Sequence, residues 1–136
     1  MKTNIKITTK QYDENNNEDV ISLDAVGEFY ERNGKKCIMY KEEDATNTII
    51  INTISKEINL KKFGKTNSSM KFCKDKVDFV KYNTYYGVFD MSIYTTNINI
   101  KENNEKLIIN ICYDIDIKDL FKGRNILDIE IKKSEF

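Results

Sequence analysis

Residues 82–100 read YNTYYGVFDMSIYTTNINI, residues 101–106 read KENNEK, and residues 107–117 read LIINICYDIDI. In the last segment Leu107, Ile109, Ile111, Tyr113, Ile115 and Ile117 share one parity, while Asn110, Asp114, Asp116 and Lys118 share the other. A β-strand turns successive side chains to opposite faces, so this alternation marks an antiparallel strand with one face in a core. The first segment carries an inconsistency. Phe89, Met91 and Ile93 are odd-numbered, whereas Ile98 and Ile100 are even-numbered. A regular strand cannot hold both sets on one face, and one extra residue restores the register. A β-bulge is therefore expected within 94–97, with ENNE at 102–105 as the hairpin loop.

Outward from this ribbon the chain repeats the same theme. Ile5 and Ile7 alternate with Lys6 and Thr8 in a strand over 2–12, and DENNNED at 13–19 is a polar loop. Over 20–32, Ile21, Leu23, Ala25 and Phe29 share a parity with Gly27, where a missing side chain permits a bend or a close backbone approach. Asn33-Gly34 tolerates the two positive φ values of a type I′ turn and predicts a tight hairpin into Lys35–Glu42. After a loop at 41–47, TIIINTIS at 48–55 reads as a strand buried on both faces or paired on both edges. Shorter strands are expected at 57–63, 68–73 and 77–82, with Val77, Phe79 and Lys81 sharing the apolar parity of the last. Leu127, Ile129 and Ile131 point inward from a final strand over 125–133. Strands spaced by roughly a dozen residues, without a long helix, predict an all-β fold. The expected architecture is a single antiparallel up-and-down barrel of about eight to ten strands, closed or partly open, spanning 1–136 as one domain. Closure removes the exposed edges that long strands present, and a two-sheet sandwich is the alternative.

Composition narrows the function. The chain has 136 residues, enough for one hydrophobic core. Its 22 Lys and Arg balance 22 Asp and Glu, and Arg32 and Arg124 are its only arginines. Nucleic acid is not expected as the main partner, because phosphate binding calls for a basic excess and favours Arg. No apolar run has the length of a signal peptide or a membrane span, so the expected location is cytoplasmic, without a membrane partner. Three widely spaced cysteines, Cys37, Cys73 and Cys112, suit a reduced protein. With no His, Ser–His and Cys–His catalysis and imidazole metal ligation are excluded. The absence of Pro is compatible with long paired strands.

Three phrases carry a resemblance: GEFYERNGK at 27–35, SMKF at 69–72 and YNTYYGVFDMSIYT at 82–95. They resemble the YwiB-like family of small bacterial calycin-like β-barrel proteins, a family of unknown function. There the first phrase is a GEYYxxNGK-like hairpin, and the third is a T-P-Y-G segment followed by spaced aromatic and methionine positions and a Thr. Thr84, Tyr86, Gly87, Met91 and Thr95 fit this pattern, and Tyr85 stands in place of the proline. The resemblance covers nearly the whole chain. It implies a lipocalin-like barrel and no particular substrate, and the lipocalin Gly-x-Trp signature is missing.

The candidate site residues are aromatic. Tyr113 interrupts an aliphatic ladder, where its hydroxyl can anchor a polar head group or simply meet a neighbouring strand. Tyr82, Tyr85, Tyr86 and Phe89 surround a glycine turn that either lines a barrel mouth or packs as a corner, and Tyr30 and Tyr40 can extend that surface. By architectural analogy with intracellular lipid-binding barrels, Arg124 on the last strand is a candidate for holding a carboxylate, against the simpler reading of a solvated surface residue. Asp114/Asp116 and Glu42/Glu43 lack His or Cys partners and read as solvated faces, so no metal and no cofactor are expected. Cys73 and Cys112 fall on polar parities, with nothing nearby to activate a thiolate. The expected function is non-enzymatic binding of a small apolar or amphipathic ligand inside the barrel. The alternative is a protein-interaction module with a solidly packed barrel, and the aromatic cluster or a long edge can also support a homodimer. A connected interior cavity of about 300 Å³ or more separates the two.

Overall fold

Every pair of strands that follow one another in the chain, save one, is joined by an antiparallel ladder. The computed structural model describes residues 1–65 and 67–133, apart from the side chains of Tyr82 and Thr84. The strands are β1 (Lys2–Asp13), β2 (Glu18–Arg32), β3 (Lys35–Glu42), β4 (Ala45–Asn52), β5 (Glu57–Gly64), β6 (Ser68–Phe72), β7 (Val77–Thr84), β8 (Gly87–Glu102), β9 (Lys106–Ile117) and β10 (Phe121–Lys133). Their order in the sheet is β6-β5-β4-β3-β2-β1-β10-β9-β8-β7, so β1 pairs with β10 and the two halves of the meander become one nearly closed barrel. The expected up-and-down topology is the one observed. The remaining seam lies between β6 and β7, where no ladder forms. There the Asp78 carboxylate accepts the Lys71 N–H at 2.9 Å, a side chain standing in for a backbone acceptor.

The local signals explain the elements. Asn33 and Gly34 have φ of 53° and 76°, the left-handed pair of a type I′ turn joining β2 to β3. A Cβ on Gly27 would lie 2.5 Å from the Met39 carbonyl oxygen and 2.8 Å from Ile5 Cδ1, so this glycine serves a close approach between β1, β2 and β3. The bulge falls between Thr95, paired with Tyr113, and Asn97, paired with Cys112. Thr96 is the inserted residue, and it returns Ile98 to the buried face. The bulge also has a docking role. The Asp75 N–H donates to the Thr95 carbonyl at 2.8 Å, and the Thr95 N–H donates to the Lys76 carbonyl at 3.2 Å, so the turn between β6 and β7 is fastened onto β8.

Some expectations needed correction. The loops at 13–19 and 41–47 contract to 14–17 and 43–44, because both strands of each hairpin stay paired further than their polarity suggests. The Asp13 carboxylate closes the first turn by accepting the Asn15 and Asn17 N–H groups, each at 2.9 Å. β4 is buried on one face only, through Asn47, Ile49 and Ile51, and it is paired on both edges, with β3 and β5. The parity of β7 is opposite to that expected. Val80 packs on the core, while Phe79 is 80% exposed and Lys81 pairs with Asp90 in solvent. The register decides this. Val80 lies opposite Met91 and Asp78 opposite Ile93, and residues opposed across an antiparallel ladder share a face. The inward face of β8 therefore sets that of β7.

Meandering strands give the barrel two distinct ends. One carries the turns at 33–34, 53–56 and 103–105, and the other carries those at 14–17, 43–44, 85–86 and 118–120. Toward the first end the interior is solid, with Ile38, Ile51, Ile58, Leu107, Ile109 and Ile131 fully buried. Here Glu102 on β8 accepts from Lys36 on β3 and from Lys133 on β10, an ion cluster tying strands that are far apart in the sheet order. Toward the second end the inward residues Ile7, Leu23, Leu60, Met70 and Phe89 are only partly buried. The barrel is plugged at one end and loosens toward the other.

Candidate ligand pocket

The loosened end holds a cavity of about 230 Å³. Its apolar wall includes Ile7, Ile49, Leu60, Met70 and Leu127, contributed by five strands that meet only because the barrel closes. Its polar lining includes Thr9, Tyr40, Asn47 and Tyr113. Tyr113 is held from two sides. Its ring packs on Phe72 with centroids 4.8 Å apart and planes tilted by 56°, an aromatic contact across to β6. Its hydroxyl accepts from Asn125 Nδ2 at 3.0 Å. Thr95, Tyr113 and Asn125 lie side by side on β8, β9 and β10, and the side-chain oxygens of Thr95 and Asn125 are buried without a partner among the described residues.

The rim is charged. Asn47 Nδ2 donates to Glu42 Oε1 at 2.8 Å, and Lys62 stands 3.8 Å from Glu42 Oε2. Burial, reinforced by the Glu42 charge, pushes the Tyr40 phenol up to about 12. Burial likewise raises the Tyr113 phenol, with partial relief from the Asn125 hydrogen bond. Both hydroxyls are thus neutral donors near pH 7, and the pocket combines apolar walls, phenol and amide groups and a charged rim.

Of the residues singled out in the sequence, Tyr113 lies in this pocket. Phe89 is partly buried against the core on β8. Tyr85 and Tyr86 sit in the turn at the same end of the barrel, 97% and 89% exposed, with their rings edge to face and centroids 5.5 Å apart. The side chain of Tyr82 falls outside the described residues. Arg124 is exposed on the outer face, its Nε 3.3 Å from the Asp114 carboxylate, so it does not reach the lumen. Asp116 is likewise on the outside, 3.9 Å from Lys122. Tyr40, expected to extend the aromatic surface at the glycine turn, lines this pocket instead, and Asn47, Leu60 and Met70 had no individual signal beyond their strand parity.

Architecture and cavity together define the class: a meandering antiparallel β-barrel of calycin-like form, plugged at one end and hollow at the other. The chain belongs to the family described as a domain of unknown function, DUF1934, whose model matches residues 5–129. Among solved structures it is similar to the crystal structure of the ywiB protein from Bacillus subtilis. The TM-score is 0.84 at 18% sequence identity, covering 98% of this chain and 92% of that one. That likeness extends to the fold. No curated protein matches the chain.

Proposed function

We propose that the protein is a non-enzymatic binder of a small amphipathic molecule held in the open half of the barrel. The observation that carries this reading is the cavity of about 230 Å³ that combines an apolar wall with the Tyr40 and Tyr113 hydroxyls. Its volume falls below the roughly 300 Å³ at which pockets for drug-sized ligands begin. The cavity size expected to separate a ligand site from a packed barrel is therefore not met; the mixed lining alone supports the reading, and only a molecule smaller than that limit is proposed. Native mass spectrometry of protein purified from its own host tests the reading, with a retained small molecule expected. The variant Leu60→Trp, which fills the space, should lose that mass while keeping a dispersed NMR spectrum. Retention unchanged in Leu60→Trp, or no retained molecule at all, would count against it.

A second reading, a protein-interaction module, is favoured by the outer face of the β7–β8 hairpin. Phe79, Tyr85, Tyr86 and Val88 are all exposed there, and apolar surface gathered on one hairpin commonly marks a contact site. Sedimentation of the purified chain against Phe79→Ser addresses its simplest form, self-association. A concentration-dependent dimer abolished by the substitution supports it, and a monomer at all concentrations removes that form of it.

A further inference from the structure

Resting on the lumen-binding reading, the hydrogen-bonding state of the two phenols in the cavity specifies the ligand further. Tyr40 is 8% exposed and lines the cavity, yet its hydroxyl has no hydrogen-bond partner among the described residues. Buried tyrosine hydroxyls usually find one, so an unused phenol facing an internal space marks a place for a guest. Tyr113, 4% exposed, lines the same cavity and accepts from Asn125 Nδ2, which leaves its own proton undonated among the described residues. The lining supplies no net charge to set against an ion. Lys62 is ion-paired with Glu42 at the rim, and Glu42 also takes the Asn47 amide, while Lys61 stands opposite Thr48 and Ser69 on the outer face. We propose that the pocket takes an uncharged molecule with a hydrogen-bond acceptor, of the class of a short aliphatic ketone, whose carbonyl oxygen accepts from the Tyr40 hydroxyl.

Donation by the protein, rather than acceptance, follows from phenol chemistry. The ring draws on the oxygen lone pairs, so a phenol is a stronger donor than acceptor, and burial holds the Tyr40 proton in place well past neutral pH. A carbonyl oxygen has two lone pairs and no proton, so it uses one such donor without bringing an unpaired donor of its own. An ion fares worse. A carboxylate or an ammonium taken into the lumen would lose hydration with no opposite charge to replace it. A carboxylate at Tyr40 would also meet the negative field of Glu42, which already bears on that phenol. The alkyl part of the ligand packs on Ile7, Leu60 and Leu127.

Four probes of matched length test the proposal on the full chain: 2-hexanone, 1-hexene, hexanoate and hexylamine, titrated at neutral pH by ligand-observed NMR. The ketone should bind, with hexanoate and hexylammonium weaker by about tenfold or more, since each must bury a charge. Tyr40→Phe, which keeps the ring, should weaken 2-hexanone by about three- to tenfold, the range for one neutral hydrogen bond, while leaving 1-hexene unchanged. The infrared carbonyl band of bound 2-hexanone should lie at lower frequency in the parent than in Tyr40→Phe, a signature that a purely structural role of the ring would not give. Either ion binding as tightly as 2-hexanone would overturn the proposal. So would a ketone affinity or carbonyl band indifferent to Tyr40→Phe, or an equal loss for 1-hexene. In any of these cases, 1-hexene binding that Leu60→Trp abolishes would retain the lumen reading while the carbonyl ligand falls. If none of the four binds, the carbonyl ligand is rejected, and the retained-ligand experiment decides the lumen reading separately.

Discussion

The Thr95 hydroxyl is fully buried and meets no partner among the described residues, beside a tyrosine whose own hydroxyl is satisfied by Asn125. A buried unsatisfied polar group costs about 1–3 kcal/mol, while an apolar group of the same shape carries no such cost. Thr95→Val should therefore be neutral or stabilising by up to about 1 kcal/mol in urea unfolding, an unusual outcome for a core substitution. A clear loss of stability would mean that the hydroxyl has a partner, such as a bound water, that keeps it satisfied. The phenols allow a second test. In Tyr40 and Tyr113 the folded value lies above the ordinary 10.0, so the stability they contribute is complete below pH 10 and declines as the pH rises past it. Absorbance titration of the folded protein should show both tyrosines ionising above the ordinary 10.0, toward about 12 for Tyr40. Replacing both with Phe should flatten the alkaline loss of stability.

At the scale of the elements, β8 shows what a sequence discloses and what it withholds. The parity conflict between Ile93 and Ile98 located the bulge because the two apolar sets belong to one strand. Deleting Thr96 should throw Ile98 and Ile100 onto the solvent face or displace the upper half of the strand. The expected result is loss of the cooperative thermal transition by circular dichroism, and a transition retained near the parent temperature would show the bulge to be dispensable. The neighbouring β7 was not legible in this way. Its Val77, Phe79 and Lys81 look like an inward set by polarity, yet inside and outside are assigned by pairing to β8, which is information from another strand. The pocket was illegible for the same reason. Tyr113 stood out because it interrupts an aliphatic ladder, whereas Tyr40, Asn47 and Leu60 become neighbours of Tyr113 only through barrel closure. The exposed Tyr85–Tyr86 turn, the most conspicuous aromatic run, has little to do with the lumen walls.

For the whole molecule, the plugged end matters as much as the open one. Burial raises the Glu102 carboxyl, but hydrogen bonds from Lys133 and Lys36 outweigh it and hold the group below its ordinary 4.5. A depressed carboxyl contributes stability that is present above the unfolded value and lost as the pH falls through the folded one. Glu102→Gln should accordingly lower Tm by roughly 2–5 °C at pH 7, the scale of a partly exposed ion cluster. That deficit should close as the medium is acidified below about 4.5 and the parent carboxylate itself takes up a proton. An unchanged gap in acid would show that the cluster acts through packing rather than charge.

The seam between β6 and β7 has a kinetic meaning. Thr3 is the register partner of Lys133, so the β1–β10 ladder joins opposite ends of the sequence and must wait for the most distant loop in the chain to close. Among the described residues the seam is the one junction around the barrel where neighbouring strands share no ladder. A circular permutant that links the C-terminus to Met1 and opens the backbone at the 73–76 turn would place all ten strands in spatial order along the chain. Every ladder would then be a local hairpin. Such a permutant should refold faster than the parent in stopped-flow experiments, since the slowest closure would have become a short tether.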